Sequence, residues 1–246
     1  MESIKSQINE AFVRATIIIL SIVLSVGLAI TFLKCLFAFA HDPLPLVPFA
    51  GGLLFWIWIW HAHLSHSPQS MWHTWEHELT HALFCLLTLT KVRGFHADEK
   101  PYKLTRSNSV TSYSGHVTHD HVGGWRGMLI TLAPYFFPTF AIALLLLRLV
   151  VNDGFQPVVD VLIGVTFGYY AINRIKDIKN AVRVAGRDSA GEHDFQRHGV
   201  PVSLAFTVFA NLIIMPSILL VLHQGWGAAG TYSISGGQFW LELLVG

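Results

Sequence analysis

The sequence predicts an all-α polytopic membrane protein of five to six membrane segments, with a small β-hairpin between a motif-bearing helix and the next span. Three observations lead there. Of 246 residues, 52% are hydrophobic and only 13% charged, against about 25% charged in an ordinary soluble domain. Mean hydropathy is +0.50, and long uncharged runs recur along the chain. Between two of these runs, over 91–125, the pattern changes from helical to alternating.

The nineteen uncharged residues of 15–33 suffice to cross a hydrocarbon core about 30 Å thick at about 1.5 Å per residue. Ala38-Phe39-Ala40 resembles a signal-peptide cleavage site. The preceding apolar core is too long for that, and Lys34 separates it from the site. The next run, 44–60, ends in Trp56, Trp58 and Trp60, which read as an interfacial aromatic belt. Run 127–147 contains "LAPYFFP", where Pro134 and Pro138 are expected to kink a span. Run 154–173 is interrupted only by Asp160, with Asn173 expected to cap its end. Run 201–222 is the last.

In the alternating region, "KVRGFHA" and "SVTSYSGHVTHD" read as two short strands around the turn "DEKPYKLTRSN". Lipid cannot satisfy strand edges, so such a hairpin must lie at the membrane surface or in a protein cavity. The apolar stretch 77–90 reaches only about 21 Å, short of a full crossing. Either its helix begins earlier, near Gln69, with its histidines at mid-depth, or the segment enters and returns.

Twelve of the sixteen Lys and Arg fall in 91–126 and 174–197. The positive-inside tendency puts both segments on the cytoplasmic side, with "VNDGFQ" outside. A basic loop is expected over 174–200, within a single domain of 1–246. The net charge of +1 gives no reason to expect a nucleic-acid partner. Cys35 and Cys85 sit in apolar surroundings, where burial is expected rather than a disulfide.

"WEHELTHALF", residues 75–84, carries the chemistry. His77-Glu78-Leu79-Thr80-His81 is an H-E-x-x-H sequence. On a helix the i, i+4 relation points both imidazoles at one ion with no loop to order. Glu78, next to the first ligand, lies beside the metal and is suited to take a proton from bound water. Ionisable groups at membrane depth are costly and read as functional.

These features together resemble the site-2-protease-like membrane zinc metallopeptidases. The resemblance rests on "HELTHALFCLLTLTKV", then a hairpin containing "SGHV", then a span carrying "LAPYFFP". It covers most of residues 70–210, and only the zinc motif is highly specific. It implies hydrolysis of peptide bonds in or beside the membrane by Zn²⁺, two histidines and a glutamate base. It also implies a third ligand from a later segment, usually an aspartate in an Asp-Gly context at the start of a helix. This chain departs from that pattern, because Asp153-Gly154 lies in a loop between two spans. The nearest fit is "EHDFQRHGVP", where Asp194 is the expected ligand and Asp188, Glu192, His193 and His198 are rivals. A solvated loop acid, or a helix N-cap near Pro201, is the other reading of Asp194.

The expected site is thus Glu78 as base and His77, His81 and Asp194 as zinc ligands. Gly115 and His116 would run beside the cleft and pair with a substrate strand. The expected partners are a membrane protein or peptide substrate and the lipid bilayer, in the cell (inner) membrane. His61, His63, His66 and His73 read as interface histidines with no metal role, and Asp177 as an acid paired with basic neighbours in water. The alternative is a membrane di-iron desaturase or hydroxylase, using His73, His77 and His81 with the cluster His116, His119 and His121. It lacks an H-x-x-H-H box, and Glu78 is what a hydrolase needs. A non-catalytic membrane scaffold is the third class.

Overall fold

The computed structural model describes residues 2–64, 71–103, 109–120, 122–184 and 194–245, with side chains placed over 12–63, 71–96, 115–120, 122–183 and 194–240. In chain order the elements are α1 (Glu2–His41), α2 (Val47–Ile59), α3 (Met71–Leu87), β1 (Val92–Lys103) and β2 (Ser109–His119). There follow α4 (Gly124–Leu132), α5 (Thr139–Leu147), α6 (Gln156–Val184), α7 (Asp194–Arg197), α8 (Val200–Gln224) and α9 (Trp226–Val245). Among the described residues, four stretches are helical, long and apolar enough to cross a membrane: Phe12–His41, Leu44–His63, Asp153–Arg183 and Val200–Gln224. The bent pair α4–α5 makes a fifth if counted as one span.

Several expectations change in detail. Run 127–147 is not one gently kinked helix. It breaks at residues 133–138, and its halves meet at 84°. Two prolines four residues apart remove two backbone donors from consecutive turns, which the helix does not survive. Asn173 caps nothing, because α6 continues to Val184. The segment 174–184 is therefore helix rather than basic loop. Asp160 is tolerated in its apolar run because it is buried against Arg148, whose Nε donates to it at 2.7 Å. Both cysteines are free thiols.

By internal contact the chain divides into two compact units, residues 1–47 with 180–246, and residues 48–179. In the first, α1, α8 and α9 pack on one another around Leu28, Phe39, Leu220 and Tyr232. Gly27 meets the backbone of Gly236, where a Cβ would stand 2.5 Å from the carbonyl oxygen. Small residues allow that close approach between apolar helices. Pro216 lies inside α8 and cannot supply the N–H that Leu212 O would otherwise accept. The Tyr232 hydroxyl donates to that oxygen instead, at 2.7 Å.

In the second unit, α2 and α6 cross at Gly52 and Gly164, each pressed on the other helix's backbone. Helix α3 packs against both strands, α4 and α5. Strands β1 and β2 form one antiparallel pair, with His96 opposite His116 and Ala97 opposite Gly115. The hairpin is longer than its sequence pattern predicts. Residues 98–103, expected in the turn, belong to β1, and 104–108 lie outside the described residues.

Candidate metal centre

Helix α3 presents His73, Thr74, Glu76, Glu78, Thr80, Phe84 and Cys85 as buried side chains. A helix buried on so polar a face needs partners for it. Thr80 Oγ1 has two, the Glu76 carbonyl at 2.7 Å and Thr139 Oγ1 at 2.5 Å. His77 and His81 are half-buried, with ring centroids 4.8 Å apart and planes at 71°. The one-turn spacing has brought the two imidazoles together, as the motif requires.

The orientation of His81 comes from the broken helix. Pro134 has no N–H, so the Ile130 carbonyl, four residues back, lacks its helical donor. His81 Nδ1–H donates to that carbonyl at 2.7 Å. The proton is thereby fixed on Nδ1, and Nε2 keeps its lone pair. A histidine held this way is prepared to bind a metal through Nε2.

His77 stands edge-on to the Tyr135 ring, centroids 5.6 Å apart, and meets Arg174. Arg174 NH1 donates to His77 Nδ1 at 2.8 Å and to Asp177 Oδ2 at 3.0 Å. Guanidinium donates only, so in this arrangement a neutral His77 carries its proton on Nε2. Metal binding at this ring exchanges that proton or shifts the guanidinium. Asp177 also accepts from His73 Nε2 at 3.0 Å, and Glu76 Oε2 lies 4.0 Å from Arg174 NH2. All four groups are buried. Asp177 does pair with a basic residue, but buried in the protein, and His73 belongs to this buried network.

Asp194 begins α7, a single turn anchored by the fully buried Phe195, whose carbonyl accepts from Ser203 Oγ at 3.0 Å. The chain turns into α8 at Gly199, φ +86°, a conformation that suits glycine. Gly199 is the N-cap of α8, so Asp194 does not cap that helix. His77 and His81 belong to one compact unit and Asp194 to the other, and each offers one ligand atom. This group could hold a metal ion.

Of the rivals, burial and the cations of Arg197 and Arg14 hold the His198 pKa below the usual histidine range, Asp194 acting in the other direction. Asp188, Glu192 and His193 lie outside the described residues, as do His66 and His121. Among the described residues no other group of three or more such side chains converges. The di-iron reading thus gains no second cluster there.

Glu78 is buried under β2. A Cβ on Gly115 would stand 2.5 Å from Glu78 Cγ and 2.8 Å from Thr74 Cγ2. Strand β2 can cross the motif at this point only because residue 115 has no side chain. Alternation then turns His116 to the opposite face, where it is exposed. Of the two residues expected beside the cleft, Gly115 adjoins Glu78 and His116 faces away. Arg174, Tyr135 and the Ile130 carbonyl join the site without any signal of their own in the sequence pattern. Comparison with protein-family models, curated proteins and solved structures finds no match.

Proposed function

We propose that this chain is a polytopic membrane zinc metallopeptidase, resembling the site-2-protease-like enzymes, that hydrolyses peptide bonds of membrane-associated protein or peptide substrates. One observation carries the reading: H-E-x-x-H on α3, whose His77 and His81 rings stand with centroids 4.8 Å apart, with Asp194 proposed as the third ligand. Two imidazoles and a carboxylate make a three-ligand set that leaves one tetrahedral place open, the pattern of catalytic rather than structural zinc. Zinc bound there supplies Lewis acidity and lowers the pKa of water to about 7. The membrane-length helices support an integral membrane location, taken here as the cell (inner) membrane.

The roles of the protein groups follow from their positions. Ile130 O holds His81 in the binding tautomer. Glu78 takes a proton from the attacking water and returns it to the leaving amide nitrogen. Gly115 lets β2 shield that carboxylate, and shielding strengthens its interaction with developing charge. The backbone of β2 beside Glu78 is the natural place for an extended substrate segment to pair.

Glu78→Gln tests the reading. It keeps shape but cannot accept a proton. Peptide cleavage should fall by at least about 10²-fold while zinc stays bound, measured as metal content together with the membrane peptide fragments formed. Undiminished cleavage, or a preparation holding two irons rather than zinc, would overturn it.

A further inference from the structure

The outer face of the hairpin holds a pair of histidines that the peptidase reading does not use. His96 and His116 are direct cross-strand partners. Their rings stack with centroids 5.1 Å apart and planes 24° from parallel. Both are exposed, and among the described residues neither ring nitrogen has a hydrogen bond or ion pair. They lie on the face opposite Gly115, away from α3. Among the residues with placed side chains, their same-face neighbours are small: Gly94, where a Cβ would come within 3.4 Å of His96 Nε2, and Thr118. His119 takes the other face by alternation, and its Nδ1 donates to the Asp120 carbonyl at 2.7 Å.

We propose that His96 and His116 form a solvent-facing chelating site for a divalent late transition metal, separate from His77 and His81. Imidazole is a borderline-soft donor suited to zinc, copper and nickel. Two ring nitrogens bound at about 2.0–2.1 Å to one tetrahedral ion stand roughly 3–4 Å apart. Cross-strand partners have Cβ atoms about 4.5–5.5 Å apart, so side-chain rotation alone closes the chelate. No backbone needs to move. The bound ion would tie β1 to β2 opposite the point where Gly115 covers Glu78, and so stiffen the strand pair over the motif. The site stands whether or not the chain is a peptidase.

The test uses the full chain carrying His77→Ala and His81→Ala, purified in detergent, stripped with chelator and titrated with Cu²⁺. One copper with two nitrogen ligands should remain, seen by electron paramagnetic resonance. Adding His96→Ala or His116→Ala should each weaken it by about 10²-fold, the loss expected when a two-point contact becomes one. Adding His61→Ala with His63→Ala should leave it unchanged. In the otherwise unmodified chain, Zn²⁺ in excess of one equivalent should slow amide exchange in β1 and β2 only while both histidines are present. Both single variants keep one exposed imidazole, and their metal-free exchange should equal the parent's, which separates lost chelation from lost fold. Copper binding indifferent to His96→Ala and His116→Ala would mark it as adventitious and overturn the proposal. Strand exchange that does not respond to zinc would do the same.

Discussion

Pro134 acts on His81 through the carbonyl of a third residue, Ile130. By withholding one N–H it frees the Ile130 carbonyl, and that carbonyl receives His81 Nδ1–H at 2.7 Å. Pro134→Ala should return a competing donor and loosen the ring, lowering metal affinity by about 10- to 100-fold, as when other supporting partners of a ligand are removed. Pro138→Ala is the control, since its N–H would face the carbonyl of Pro134 rather than of Ile130. Equal affinities in the two variants would refute the link. Asp194 admits a sharper test. Zinc content measured across Ala variants of Asp188, Glu192, His193, Asp194 and His198 should drop below stoichiometric only for Asp194. Asp194→Cys should partly restore it, thiolate being a good zinc ligand. If Asp194→Ala holds zinc like the parent while a neighbour does not, that neighbour is the ligand.

At the scale of the element, the hairpin and α3 meet through one missing methyl. A Cβ at Gly115 would fall 2.5 Å from Glu78 Cγ, so Gly115→Ala must displace β2 or the carboxylate. Misplacement by about 1 Å costs on the order of 10²-fold in rate. Gly115→Ala should therefore cut peptide cleavage by that much while zinc content stays at one per chain; unchanged cleavage would mean that β2 does not press on the base. This packing also separates what is legible in the sequence from what is not. The motif helix is legible, because imidazoles at i, i+4 ahead of an apolar run converge on one point wherever the helix lies. Strand alternation is legible too, but Pro101 and the charges of 98–103 imitate a turn. The prolines of "LAPYFFP" announce a bend without saying which carbonyl they release to a partner, because that depends on where α3 lies. Arg174 and Asp177 look like solvated charges at the end of a span. Their burial depends on Glu76, His73 and His77, about a hundred positions earlier, which no local pattern encodes.

For the whole molecule the open quantity is orientation in the membrane, and α6 is the element that decides it. Its 29 residues extend about 43 Å at about 1.5 Å each, more than the roughly 30 Å of hydrocarbon. A helix of that length and hydropathy is expected to cross, with its two ends on opposite sides. Arg174 is held by Asp177 and His77 inside the protein, so it does not count as a loop charge. Lys176, Lys179 and Arg183 remain near the C-terminal end, against Asp153 before the N-terminal end. The positive-inside tendency puts the lysines in the cytoplasm and residues 149–155 outside. The basic residues around the hairpin argue for the cytoplasmic side as well. Single cysteines at Asn152, Lys179 and Arg93, all exposed positions, test this in a chain carrying Cys35→Ser and Cys85→Ser. A membrane-impermeant thiol reagent applied to intact cells should label Asn152→Cys and spare the other two until the membrane is opened. Labelling of Lys179→Cys alone would invert the molecule. Labelling of both Asn152→Cys and Lys179→Cys from outside would mean that α6 does not cross, and the membrane-spanning reading of its apolar run would fail with it.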